Sequence, residues 1–322
     1  MCIRDSLWIF PRGMKRDGAA GPDSPKWTSR YGSVIASGYE LGTADGINEA
    51  GLAANLLYLA ESDYGTPDGK PPLSISVWTQ YVLDNFATAA ETVAALRGEP
   101  FRLLAPDFPN GKSARLHLAI SDASGDSAIF EYIDGQLVIH HGRQFQVMTN
   151  SPSYEKQLAL NDYWARIGGL TFLPGTNRAA DRFARASFLI NAIPKTIDDN
   201  YKQAVPDGTY DNQAALGVLS VIRGVSVPLG ITTPGQPNIS STIWRTVADH
   251  KNKIYYFDSA TSPNVFWVPL SEIDLEEGSG VRKLTVAGGR IYSGNATENF
   301  EPAKPFAFLP AEPGNDLIES GE

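Results

Sequence analysis

The sequence predicts an α+β fold in which mainly antiparallel sheets are covered by helices. Strand-like runs are frequent, and two of them are joined by Asp134-Gly135, a two-residue hairpin signal. The order along the chain is β-rich, helix pair, β-rich, helix pair, β-rich. That order is not the strict strand–helix alternation of a doubly wound parallel sheet.

In chain order, Ser33–Ser37 (SVIAS) and Ala53–Leu59 (AANLLYL) read as strands. Leu73–Asn85 (LSISVWTQYVLDN) carries apolar residues at helical spacing. Thr88 to Glu91 is the spacing of a capping box, which opens a second helix to about Leu96, ended by Gly98. Arg115–Ser121, Ala128–Ile133 and Gln136–His140 are the next strands, and Asp181–Asn191 and Gln213–Arg223 the next helices, with Gly224 after the second. Ile254–Phe257 and Val265–Val268 are late strands, separated by a turn-rich DSATSPN. Neither repeats nor a Pro/Gly/Ser linker interrupt the chain, so one domain is expected over residues 7–309, followed by a flexible acidic tail over 310–322.

The 322 residues are 42% hydrophobic, enough for a sizeable core, and the formal net charge is −9. An acidic balance argues against nucleic acid or an anionic membrane as the main partner. No apolar run approaches the roughly 20 residues that span a bilayer. The one cysteine, Cys2, excludes an internal disulfide framework, and the first residues show no apolar signal-peptide core. The four histidines, His117, His140, His141 and His250, lack metal-ligand spacing, with no HExxH and no CxxC. They read as packing or surface residues, so no metal is expected. No GxGxxG or GxxxxGK[ST] loop points to a nucleotide or other cofactor, and no GxSxG elbow occurs.

What remains is a set of polar residues at turn positions. VMTNSP puts Asn150 after an apolar run and before Ser-Pro, LPGTNRAADRF puts Arg182 near a helix start, and LLYLAESDYG puts Tyr58 at a strand end. Each has an ordinary role open to it: a turn or cap for Asn150, a solvated first-turn cation for Arg182, a core aromatic for Tyr58.

Together the segments resemble the choloylglycine hydrolase family, which contains bile salt hydrolases and penicillin V acylases. The carriers are LWIFPRGMKR, WTSRYGSVIASGYELGTADGINEAGLAANLLYLAESDYG, WTQYVLDNFATAAETV, SGDSAIFEYIDGQLVIHH, QVMTNSPSYEKQLALNDYW, LPGTNRAADRFARASF, SVIRGVSVP and STIWRTVADHKNKIYYFDSATSPNVFWV, from about Leu7 to about Leu309. The texture is most similar to the penicillin V acylase branch. The resemblance implies an Ntn-hydrolase αββα sandwich that cleaves linear amides with a cysteine at the mature N-terminus. Such a thiol and its α-amine both titrate near neutrality, so the amine can serve as base. The resemblance makes Asn150 an amide donor near the oxyanion, Arg182 an organiser of charge around the nucleophile, and Tyr58 an oxyanion or pocket contact. It also implies a small-molecule N-acyl amide substrate, with penicillin V-like phenoxyacetyl amides and N-acyl homoserine lactones favoured over conjugated bile salts. A homotetramer is the assembly it suggests. Trp78, Trp164 and Trp244 read first as core aromatics, with the lining of an acyl pocket the alternative.

The N-terminus departs from the pattern. In the family an RxMDW segment separates the cysteine from the block matched by LWIFP; here LWIFP starts at Leu7 and no RxMDW occurs. In an extended strand Cys2 and Arg4 share one face and Asp5 points to the other, so Cys2-Arg4-Asp5 repeats the residue types without the geometry. MCIRDS is also what ATGTGTATAAGAGACAG, a transposon end used in sequencing adapters, encodes when followed by T or C. Residues 1–6 are therefore read as non-native and the N-terminal strands as missing, with Cys2 a doubtful stand-in for the nucleophile. The expectation is a poorly stable, inactive chain with exposed strand edges, derived from a parent that is periplasmic or secreted, or alternatively cytoplasmic. Two rival readings stand beside the amidase: a non-catalytic binding homologue that lost its nucleophile, and a lipid-amide hydrolase of the acid ceramidase kind.

Overall fold

The computed structural model describes residues 5–66, 68–106, 113–231 and 241–311. Seven strands come first: β1 (Ser6–Phe10), β2 (Lys15–Asp17), β3 (Lys26–Thr28), β4 (Ser33–Gly38), β5 (Gly42–Asn48), β6 (Ala53–Tyr58) and β7 (Pro72–Ser74). Helices α1 (Ile75–Asn85) and α2 (Ala89–Leu96) follow, then β8 (Arg102–Leu104), β9 (Leu116–Ser121), β10 (Ser127–Ile133) and β11 (Gln136–His141). Next come α3 (Tyr154–Ile167), α4 (Ala179–Ala192) and α5 (Tyr210–Gly224). The chain ends through β12 (Trp244–Asp249), β13 (Ile254–Ser259), β14 (Val265–Pro269), β15 (Arg282–Thr285), β16 (Gly294–Asn295) and β17 (Glu301–Pro302).

Nine strands form one sheet in the order β11-β10-β9-β6-β5-β4-β1-β15-β17, antiparallel throughout. A second sheet has the order β12-β13-β14-β16, with only the short β14–β16 pair parallel. Because side chains alternate along a strand, the large sheet buries both faces. One face, with Trp8, Ile35, Ala54, Leu118 and Phe130, packs on Trp78, Val82 and Leu83 of α1 and Val93 of α2. The other, with Leu7, Ile9, Val34 and Ile47, packs on Tyr255, Phe257, Phe266 and Val268 of the small sheet. Arg223 of α5 reaches Asp258 on the far side of that sheet at 2.7 Å. The layers are therefore helix, sheet, sheet, helix, the expected αββα order.

Local chemistry explains most element boundaries. Ser74 caps α1 by accepting from the Ser76 amide, which shortens the expected helix at its start and leaves residues 72–74 to pair with β8. Thr88 accepts from the Glu91 amide at 3.1 Å, as the capping-box spacing predicts. The returned bond from Glu91 goes to the Ala87 amide rather than to Thr88. Asp134 and Gly135 both take positive φ, 49° and 74°, the twist that a two-residue hairpin between β10 and β11 requires.

The second helical group is a trio, not a pair: α3 was not expected, because Tyr154 and Gln157 are its only buried residues and the apolar stripe is narrow. Trp78 is 2% exposed and packs in the core beneath the large sheet, as its reading as a core aromatic expects. Packing runs into the segment expected to be tail, since buried Ala311 donates its N–H to Ala19 O.

Candidate active site

The small sheet covers β1, β4 and β5, whereas α3 and α4 cover β9 and β10, where Ile129 meets Tyr154 and Phe183. Between these covers lies β6. By register Asn55 and Leu57 share the face that carries Asp45 on β5 and Ala119 and His117 on β9. Leu57 is 36% exposed, so an apolar side chain borders an open seam.

At the end of β6 the three predicted residues come together. Asn150 Nδ2 donates to the main-chain carbonyl of Tyr58 at 2.8 Å, tying the turn after β11 to the strand end. Arg182 Nη2 donates to Asn150 Oδ1 at 2.7 Å, and its Nε to Asn177 O at 3.2 Å. Arg182 is placed by the first turns of α4, whose Asp181 is held at 2.5 Å by Thr176. Ser151, joined to Pro152 by a cis peptide, accepts from the Ala60 amide at 3.0 Å and fixes the same turn.

Tyr58 enters this cluster through its carbonyl. Register assigns its half-buried side chain to the face of Ala54 and Leu56, opposite Asn55 and Leu57. An asparagine amide has two N–H hydrogens. Tyr58 O takes one of those on Asn150, and the other meets no acceptor among the described residues, leaving it for an oxygen outside the cluster. Arg182 withdraws electron density through Oδ1, which strengthens Asn150 as a donor. Burial, then Arg185, lowers the Arg182 pKa from its usual value, yet a guanidinium keeps its charge across the working pH range.

Cys2 and Arg4 lie outside the described residues. Asp5 is buried and engaged: it accepts from Trp244 Nε1 and from the Tyr39 amide, both at 2.8 Å. Trp244 stacks on Phe257, and Trp164 stacks on Phe172. Among the described residues no group of three or more His, Cys, Asp or Glu side chains could hold a metal ion.

Two residues around the cluster, Glu131 and Gln157, are not singled out by the sequence, whereas His117 is the packing histidine it suggests. Glu131 and His117 form a buried pair at 2.8 Å, and Gln157 donates to Asn150 O at 2.7 Å. Glu131 had a visible signal: it is a lone charge in the apolar run AIFEYI, a pattern that demands a buried partner. Gln157 carries none, because α3 buries too few apolar residues for its helical period to show in the sequence.

The sequence model described as "Linear amide C-N hydrolases, choloylglycine hydrolase family" matches residues 3–283. A penicillin V acylase of Pectobacterium atrosepticum is 51% identical over 318 residues, covering 94% of this chain and 84% of that protein. The solved structure of penicillin V acylase from Agrobacterium tumefaciens superposes with a TM-score of 0.85 at 57% identity, covering 96% of this chain and 92% of that one. A C2A mutant of the conjugated bile acid hydrolase from Clostridium perfringens shares the fold, with a TM-score of 0.72 at 21% identity over 91% of this chain and 93% of that chain.

Proposed function

The chain belongs to the choloylglycine hydrolase family of linear amide C–N hydrolases, and from that premise we propose that Asn150 and Arg182 form the oxyanion-stabilising half of an N-terminal-cysteine amidase acting on phenoxyacetyl amides such as penicillin V. The observation that carries this reading is the single amide of Asn150, which joins Tyr58 O to Arg182 and keeps one N–H to give.

The reaction consistent with that arrangement is ordinary acyl transfer. A cysteine thiolate attacks the substrate carbonyl carbon, forming a C–S bond and an oxyanion. Asn150 donates to that oxyanion, and the charge on Arg182 lowers its energy. Collapse breaks the C–N bond, the amine leaves with a proton from the terminal ammonium, and water then hydrolyses the thioester. Leu57, exposed at the seam, and Met148, two residues before Asn150 and partly buried against Ile129, Tyr154 and Phe183, are apolar candidates to meet the acyl group. N-acyl homoserine lactones fit the same requirements. The likeness to two penicillin V acylases supports phenoxyacetyl amides ahead of conjugated bile salts.

A homotetramer, or a smaller homo-oligomer, accords with the exposed aromatic residues of α3 and the loop after it.

The test measures cleavage and binding of penicillin V, an N-acyl homoserine lactone and glycocholate. Penicillin V is expected to bind best, and preference for glycocholate overturns the substrate reading. Cys2→Ser settles the nucleophile. Unchanged behaviour is expected if Cys2 only imitates it, whereas loss of an acyl-enzyme burst makes Cys2 the nucleophile.

A further inference from the structure

We propose that Gln157, seated by the buried Glu131–His117 pair, is a positioning residue that sets both Asn150 and the helix carrying Arg182. The proposal rests on the reading of Asn150 as the amide donor of the site.

The connection starts at the N-terminus of α3. Ser153 occupies the N-cap but makes no side-chain cap bond. Glu131, from β10, takes that place: its Oε2 accepts from the Tyr154 amide at 2.9 Å. Its Oε1 meets His117 Nδ1 at 2.8 Å, and both side chains are 1% exposed. A carboxylate at a helix N-terminus is favoured by the unpaired amides there. The start of α3 is thereby fixed to the large sheet rather than to its own cap residue.

One turn on, Gln157 is 2% exposed. Its Nε2 donates to Thr149 Oγ1 at 3.0 Å and to Asn150 O at 2.7 Å. Its Oε1 is buried with no hydrogen-bond partner among the described residues. The side chain therefore spends both donor hydrogens on the segment that bears Asn150, and its acceptor contributes nothing to packing α3. Thr149 Oγ1 passes the constraint on, donating to Ala179 O at 3.1 Å. Ala179 is the first residue of α4, one turn before Arg182. A single amide group thus holds the Asn150 backbone directly and the Arg182 helix through one hydroxyl.

The chemistry requires glutamine. A glutamate of the same shape, once ionised, has no hydrogen to donate and would face an oxygen on each side. Protonated, it regains one O–H donor.

Selective 15N labelling of asparagine reports on the site directly, in the whole chain and without turnover. The Asn150 side-chain amide signals are identified by their loss in Asn150→Asp. In Gln157→Glu at neutral pH those signals are expected to shift and to exchange with solvent about tenfold faster, the scale of one lost hydrogen bond. At acid pH they should return toward wild type. If the melting temperature falls while the Asn150 signals keep their position and exchange rate, Gln157 is structural only and the proposal fails. Should Gln157→Glu not fold, Thr149→Val and Thr149→Ser decide it by the same signals. The serine keeps the hydroxyl and should preserve them, the valine should not, and equal behaviour overturns the proposal. Failure of the underlying site reading looks different: Asn150→Asp would then bind penicillin V as tightly as wild type, whatever the asparagine signals show.

Discussion

Substituting Asn150 by aspartate keeps its size and removes both amide hydrogens. The carboxylate would still meet Arg182, now as an ion pair, but would set an oxygen against the Tyr58 carbonyl. Affinity for penicillin V is expected to fall about tenfold, from one hydrogen bond lost and one repulsion gained. In any form of the chain with a competent nucleophile, kcat should drop about 10²–10³-fold, because the bond to the developing oxyanion is worth more than the ground-state one. Arg182→Lys keeps charge but cannot bridge Asn150 Oδ1 and Asn177 O with one fork, so it should lose an intermediate amount. Calorimetric titration and steady-state cleavage check both, and wild-type affinity in Asn150→Asp would remove this residue from the site.

Between elements, Asp45 joins the two sheets. It lies on β5, and its Oδ1 accepts from Thr246 of β12 at 3.0 Å and from the hydroxyl of Tyr255 on β13. Burial pushes its carboxyl up to about 6, against the lowering effect of hydrogen bonds from Tyr255, Thr246 and Asn55. In the unfolded chain such a group titrates near 4. The folded state holds the proton more tightly, so this contribution to stability is full below about pH 4 and lost as pH rises through about 6. Asp45→Asn keeps an acceptor for Thr246 and Tyr255 and cannot ionise. The stability of this variant relative to wild type should rise between about pH 4 and pH 7, by on the order of 3 kcal/mol at most. Melting curves across that range measure it, and a pH-independent difference would contradict it. Elements of this kind show where the sequence was legible. The Asp134-Gly135 hairpin, the Thr88 cap and the regular strands announced themselves because their signals are local. α3 did not, because its buried residues are only Tyr154 and the polar Gln157, too few to show a helical hydrophobic period. The grouping of Tyr58, Asn150 and Arg182 came from resemblance to a family. No spacing in the sequence tells that a carbonyl at residue 58 and a guanidinium at residue 182 meet on one amide.

At the scale of the whole molecule, the apolar surface is uneven. On α3, Leu160 and Tyr163 are 45% and 61% exposed, and Leu170 and Phe172 in the following loop are 97% and 55% exposed. Tyr163, Trp164 and Phe172 form a continuous aromatic run, with ring centroids 5.1 Å and 5.7 Å apart. Scattered apolar residues on a surface need no explanation, but a contiguous aromatic patch on a chain with net charge −9 does. Self-association through this patch would hide it at little electrostatic cost, because its members carry no charge. Such a contact would lie on the outer side of α3, the helix that buries Gln157 on its inner side, so oligomer formation and the geometry at Asn150 would share one element. The chain is expected to sediment as a homo-oligomer at micromolar concentration. Leu170→Glu combined with Phe172→Glu should shift it to monomer while leaving the melting temperature of the monomer near that of wild type, since neither side chain belongs to a core. Light scattering after size exclusion reads this out. A wild-type chain that remains monomeric at high concentration, or a double variant that remains assembled, would take the contact away from α3.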